Sequence, residues 1–231
     1  MKKADLYLAL FLAVLFLPFL LNQQAFDFYN LFNKEHGMVM SFTKFAILAT
    51  LGEMIALRIR KGVYNEKGFG ILPRALVWGL LGLTIKAAFT IFSTGVPVFA
   101  EYLGLKDAIA SIKGPLTAEK VLVAFCISAC MNLVYAPVMM TFHKITDTHI
   151  LQNGGTMSGF FTKIHFAKIF AGINWDVQWN FVFKKTIPFF WIPAHTITFL
   201  LPPDVQVLFA ALLGIALGLI LAFASLQPVK K

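Results

Sequence analysis

Residues 205–226 read VQVLFAALLGIALGLILAFASL and carry no charged side chain. A helix of roughly 20 mostly apolar residues is long enough to cross the hydrocarbon core of a bilayer, and this stretch has that length. Lipid offers backbone groups no hydrogen-bond partner, so a segment of this kind is helical. The stretch therefore predicts a transmembrane helix.

Five further stretches upstream have the same character. The six predicted spans are residues 6–21, 38–57, 75–99, 121–142, 186–201 and 205–226. Hydrophobic residues make up 58% of the 231 and charged residues 13%, a balance that one soluble core cannot bury. The runs are continuous and lack the two-residue alternation of a membrane barrel. We predict an all-α integral membrane protein, a bundle of about six transmembrane helices forming a single polytopic domain over residues 1–231.

Lysine and arginine are distributed unevenly between the connecting segments. If Met1 is cytoplasmic, the cytoplasmic segments carry 14 of these residues, and the outer segments carry only Lys34, Lys106, Lys113 and Lys120. Cytoplasmic loops are enriched in Lys and Arg, so both termini are predicted to be cytoplasmic. The net charge of +9 then reports topology. No nucleic-acid partner is expected, because no long basic run or binding motif accompanies that charge.

Two segments have a second interpretation. Met1-Lys2-Lys3 before an apolar run also resembles a secretory signal, but no small-x-small cleavage site follows Leu21, so we expect a retained anchor. Residues 143–185 are predicted to form a cytoplasmic loop. Within it, residues 146–155 are predicted to be irregular, with Asn153-Gly154-Gly155 as the breaker, and residues 157–171 to form an interfacial helix.

Ionisable and amide side chains inside predicted spans are the candidates for function, because they are costly in lipid. They are Glu53, Lys86, Asn132 and His195. At about 1.5 Å rise per residue, the last three fall near the bilayer centre on three different helices. They could line a polar path for solutes, or they could form satisfied pairs that lock helices together. Lys86 has a stem long enough to reach toward Glu53 or toward the central pair.

Small residues recur every four positions in the last predicted span. They are Ala210, Gly214, Gly218 and Ala222. A stripe of this kind lets a neighbouring backbone approach closely, within the chain or in a homo-oligomer.

Signals for catalysis are weak. His143, Asp147 and His149 could bind a metal in a membrane enzyme, but a site of that kind needs more ligands, so a solvated loop is favoured. The sequence has no nucleophile elbow and no phosphate-cradling Gly-Lys-Ser/Thr loop. We expect no enzyme, no cofactor and no metal.

A set of motifs resembles one known family. The motif positions are Gly52 before Glu53, Gly95 and Pro97, Pro137, and Trp191, Pro193, Phe199 and Pro202. In this order they are similar to the Mpv-seventeen and peroxisomal membrane protein family, over roughly residues 42 to 226. Met131-Asn132 stands where that family has Asp-Gln, and Thr198 stands where it has Asn, so the resemblance is that of a distant, prokaryotic-type relative.

The resemblance implies a transport role and no chemical reaction. Members of that family are discussed as channels for small solutes in the mitochondrial inner or peroxisomal membrane, and a prokaryotic relative would sit in the plasma membrane. We therefore expect a channel-like protein in the lipid bilayer that passes or regulates small solutes or ions. The alternatives are a non-conducting scaffold that packs through Gly214 and Gly218, and a membrane enzyme built on His143, Asp147 and His149.

Overall fold

The computed structural model describes residues 3–226, and the side chains of residues 3–220. All regular secondary structure in this range is helical. The helices are α1 (Lys3–Leu21), α2 (Gln23–Glu35), α3 (Gly37–Lys61), α4 (Ile71–Tyr102), α5 (Ala108–Lys113), α6 (Ala118–Gln152), α7 (Met157–Phe160), α8 (Phe166–Ala171), α9 (Trp175–Val177), α10 (Ile192–Leu200) and α11 (Pro203–Leu226). A π-helix, Gln178–Trp191, lies between α9 and α10.

Five of these helices are long and apolar enough to cross a membrane. They are α1, α3, α4, α6 and α11. Each contains one of the predicted spans and extends it at one or both ends. The helical prediction is therefore confirmed for five of the six segments.

The segment at residues 186–201 is not the regular α-helix that hydropathy predicted. Its first residues belong to the π-helix, which runs without a break into α10, and neither helix alone has the length of a span. At the junction, the backbone N–H of Ile192 donates to the carbonyl of Ile187, five residues back. Pro188 and Pro193 each lack a backbone donor, which is the physical reason that α-helical bonding is interrupted here.

The chain divides into two compact units, Met1–Met40 and Ser41–Lys231, with the boundary inside α3. In the first unit, α1 has no buried residue. The Asn22 side chain accepts a hydrogen bond from the backbone N–H of Ala25 at 3.2 Å and so begins α2. The rings of Phe19 and Tyr29 pack with centroids 5.3 Å apart, which joins α2 to α1.

In the second unit, α3 and α4 approach closely at Gly82. The hydroxyl of Ser41 donates to the carbonyl of Gly82 at 2.7 Å. A Cβ at residue 82 would lie 2.7 Å from the Ser41 carbonyl oxygen and 2.8 Å from Phe45 Cβ. Helix α4 then packs on α6, where the hydroxyls of Thr84 and Tyr135 lie 2.6 Å apart.

The small residues of α11 have a partner within the chain. A Cβ at Gly218 would lie 3.5 Å from the carbonyl oxygen of Gly52 on α3. Ala210 is buried, whereas a Cβ at Gly214 would meet nothing within 4 Å. The side chain of Ala222 lies outside the described part. The stripe thus contacts α3 at Gly218, and Gly214 takes no part in that contact.

The polar segment after α6 is more helical than predicted. Helix α6 continues to Gln152 through the region 146–155 that was predicted to be a loop, and it ends where Asn153-Gly154-Gly155 was predicted to break it. In place of one interfacial helix at 157–171 there are two short helices, α7 and α8. Gly155 has a φ of 68°, and a Cβ there would lie 2.7 Å from the Gly68 carbonyl, so the turn after α6 packs directly against the α3–α4 loop.

Substituting Gly82 by Ala should destabilise the second unit by about 1–3 kcal/mol, because the new methyl group overlaps the backbone of α3. Gly95→Ala is the matched control, since residue 95 lies on the same helix and a Cβ there meets nothing within 4 Å. The measurement is the free energy of unfolding of the detergent-solubilised chain. Equal effects of the two substitutions would contradict the close approach at Gly82.

Candidate functional site

Arg74 joins three helices through two partly buried ion pairs. It lies in the first turn of α4 and only 6% of its surface is exposed. Its Nη1 pairs with the Glu53 carboxylate of α3, and its Nη2 pairs with the Asp147 carboxylate of α6. We call these three residues the Arg74 triad. Buried charges are tolerated only when they are paired in this way, so the triad fixes the ends of α3, α4 and α6 against one another.

A third donor of Arg74 and the plane of its guanidinium are also used. Its Nε donates to the carbonyl of Phe69 at 2.6 Å. The guanidinium carbon lies 4.5 Å from the centroid of the Phe69 ring. A guanidinium is planar and stacks on aromatic faces, so the Phe69 ring fixes the plane of the group. The two carboxylates fix the direction in which its Nη atoms point.

Glu53 has partners besides Arg74. Trp78 donates its indole N–H to Glu53 Oε1 at 2.9 Å. His143 Nε2 lies 3.3 Å from the same oxygen, and its ring packs on Trp78 with centroids 4.4 Å apart. The triad contains two carboxylates and one guanidinium, so it has one negative charge in excess.

The structure gives Glu53 a partner that the sequence did not suggest. Lys86 was predicted to reach toward Glu53 or toward the central pair, whereas the residue paired with Glu53 is Arg74, which was counted with the cytoplasmic loop. Hydropathy ends a span at its first charged residue and so excludes Arg74 from α4. The available signal was Pro73, because proline is favoured in the first turn of a helix and predicts that Arg74 is already helical.

Asn132 and His195 meet across α6 and α10. His195 Nδ1 lies 3.0 Å from Nδ2 and 3.2 Å from Oδ1 of Asn132. The Asn132 amide also donates to the carbonyl of Ser128 at 2.9 Å. Both residues are buried, at 1% and 9% exposure. Two of the residues predicted to share one level of the membrane are therefore in contact.

Aromatic rings surround this pair. Phe89 of α4 meets the His195 ring edge to face at 5.6 Å, and Trp191 stacks on it at 5.2 Å. Nearby, the hydroxyl of Ser128 donates to the carbonyl of Ile192 at 2.7 Å, which ties α6 to the start of α10. The pair is thus enclosed by aromatic rings and polar contacts of the protein itself.

Lys86 stands apart from both groups. It is half-buried, and within residues 3–220 its ammonium group makes no hydrogen bond or ion pair. Its charge interacts unfavourably with that of Lys44 on α3, which the charge of Asp204 on α11 attracts. The four predicted polar-path residues therefore lie in three places: Glu53 in the triad, Asn132 with His195, and Lys86 away from both.

The predicted metal-binding alternative is not supported by the positions of its residues. His143 contacts Glu53, Asp147 pairs with Arg74, and His149 is bound elsewhere, with Nε2 lying 3.0 Å from the Phe160 carbonyl. Residues 143 and 147 lie one turn apart on the face of α6 toward the triad. Within the described residues, no group of three or more His, Cys, Asp or Glu side chains could hold a metal ion.

Comparison with known proteins gives no match for this chain. No protein-family model matches it. No curated protein and no solved structure matches it either. The resemblance to the Mpv-seventeen family therefore stays a prediction from its motifs.

Proposed function

We propose that the chain is an integral membrane protein that crosses the bilayer six times with both termini in the cytoplasm. The crossings are α1, α3, α4, α6, the π-helix with α10, and α11. The π-helix and α10 together cover residues 178–200, and only one short turn separates them from α11. The orientation is supported by the excess of Lys and Arg in the α3–α4 connection and in the segment after α6.

Its proposed role is the regulated passage of small solutes or ions. The observation that carries the proposal is the Arg74 triad, which joins three of the crossing helices through charges buried at one end of the bundle. Ionisable residues within membrane helices are rare, are paired when present, and mark ion and solute pathways. In this proposal the triad holds the cytoplasmic ends of α3, α4 and α6 together and closes the path there.

Lys44 and Lys86 supply the charge along the proposed path. Lys44 lies on α3 nine residues before Glu53, and Lys86 lies on α4 twelve residues after Arg74, so both are away from the triad along their helices. Lysine and arginine side chains line pores that select anions. We propose that these two residues favour anionic solutes.

Lys86→Met should lower the passage of small anions by about tenfold, because it removes a charge that concentrates them locally. The measurement is anion release from liposomes containing the purified full-length chain, compared with protein-free liposomes. Lys106→Met, which removes one lysine from the loop after α4, is the control and should leave release unchanged. Equal release from the Lys86 variant and the native protein would overturn the assignment of Lys86.

A second candidate function is a non-conducting scaffold or assembly factor. The contact between Asn132 and His195 favours it, because these two groups satisfy one another among aromatic side chains instead of facing an open channel. A scaffold would release no solute from liposomes in any variant. The same assay therefore separates the two functions.

A further inference from the structure

Two adjacent grooves lie between the end of α6 and the segment that carries α7 and α8. One has a volume of about 460 Å³ and is lined by His149, Asn153, Thr162, Lys163 and His165. The other, of about 450 Å³, is lined by Lys144, Thr148, Lys168 and Asn174. They share Gln152 of α6 and Ile169 of α8, so they adjoin at these two residues. We call them the α6–α8 grooves.

The walls of these grooves are fixed by the fold. Ile169 of α8 is 5% exposed and packs with Ile145 and Ile173, which anchors α8 on α6. Asn153 donates to the carbonyl of His149 at 2.8 Å and accepts from the Thr162 hydroxyl at 3.2 Å. The segment after α6 is thereby held against the end of the helix.

The charge in the grooves has one sign. Three lysines line them, and within the described lining no residue is Asp or Glu. Lys144, Lys163 and Lys168 are exposed, and their ammonium groups make no ion pair in the described part of the chain. The nearest carboxylate along α6, Asp147, is already bound to Arg74. These cations are therefore available to a ligand.

The neutral donors around the lysines match the same kind of ligand. The side-chain amides of Gln152 and Asn174 lie among the charges. The hydroxyls of Thr148 and Thr162 also line the grooves, but they already donate to the carbonyls of Lys144 and Gly159. A phosphate group has several strong acceptor oxygens and more than one negative charge, and lysine binds it as a point charge. The positive-inside rule accounts for lysines on this side of the membrane, but it does not account for their arrangement in two built grooves without a carboxylate.

We propose that the α6–α8 grooves bind a phosphate group, carried either by a soluble anion or by a lipid headgroup. Residues 144, 148 and 152 are spaced by four and so face the grooves together from one side of α6, while residues 143 and 147 face the Arg74 triad. The site is separate from the triad. Its binding can be measured without any flux, so failure of this proposal and failure of the proposed transport function are distinguishable.

The test uses the full chain in a maltoside detergent, which contains no phosphate. Inorganic phosphate is titrated by calorimetry, and phosphatidic acid or phosphatidylcholine is added separately while thermal unfolding is followed. The variant is Lys163→Gln with Lys168→Gln. The control is Lys106→Gln with Lys113→Gln, which removes the same charge from the α4–α6 connection. Both should unfold like the native chain in the absence of ligand.

Loss of two charge-assisted contacts should weaken phosphate affinity in the groove variant by about tenfold or more, with the control unchanged. If inorganic phosphate does not bind, stabilisation by phosphatidic acid that is lost only in the groove variant identifies a lipid headgroup as the source. The proposal is overturned if the native chain neither binds inorganic phosphate nor is stabilised by phosphatidic acid. It is also overturned if the groove variant and the control variant lose binding equally.

Discussion

Replacing Arg74 by Met is expected to lower the free energy of unfolding by about 3–5 kcal/mol, more than any other single substitution considered for this chain. The side chain is buried and pairs with Glu53 and Asp147 at once. Without it, two carboxylates stay close together with no cation between them, and the loss of solvation of each charge is no longer offset by an ion pair. The measurement is denaturant unfolding of the detergent-solubilised protein, followed by circular dichroism.

The control for this substitution is an ion pair in solvent. Lys61 and Glu66 approach to 2.7 Å, but their side chains are 58% and 37% exposed. Lys61→Gln should therefore lower the free energy of unfolding by no more than about 1 kcal/mol, because exposed ion pairs contribute little to stability. An Arg74→Met variant no less stable than Lys61→Gln would show that the triad is not a buried network.

Removing the two carboxylates should restore stability. In the neutral triad variant, Glu53→Gln and Asp147→Asn accompany Arg74→Met, so no unpaired charge remains buried. Replacing a whole buried ion network by neutral groups is often close to neutral in stability, whereas removing one partner is not. We expect the neutral triad variant to be more stable than Arg74→Met alone.

The helices could be predicted from sequence because their cause is local. Residues 205–226 and the other long apolar runs have only one stable state in lipid, and hydropathy detects it without knowledge of neighbours. The segment at 186–201 is equally apolar but contains Pro188 and Pro193. Hydropathy does not register which backbone donors are missing, so it could not detect the π-helix there.

The polar contacts were harder to predict because they depend on which helix faces which. Counting residues from the ends of spans gave the depth of Asn132 and His195, and they do meet. The same counting put Lys86 at that depth, yet depth carries no information on rotation about the helix axis, and the Lys86 ammonium group makes no hydrogen bond to the Asn132–His195 pair. Arg74 was missed because a charge at the end of a span is assigned to the loop, although α4 begins before it.

The neutral triad variant is also the sharpest test of function. If the triad closes a path by holding α3, α4 and α6 together, removing its charges should leave a folded protein that releases small solutes faster than the native chain. We expect an increase of about tenfold or more, since loss of 1.4 kcal/mol from the closed state changes an opening equilibrium tenfold. The measurement is release from liposomes of solutes graded in size.

The control for this last experiment is the double variant Lys61→Gln with Glu66→Gln, which removes an ion pair from the exposed α3–α4 loop. It should release solutes at the native rate. Faster release limited to small solutes indicates an opened path, whereas release of all sizes indicates general leakage from an unfolded protein. A neutral triad variant that is folded and as impermeable as the native chain would show that the triad does not close a path. Its charges would then only hold the helices together, and replacing them would not change solute release.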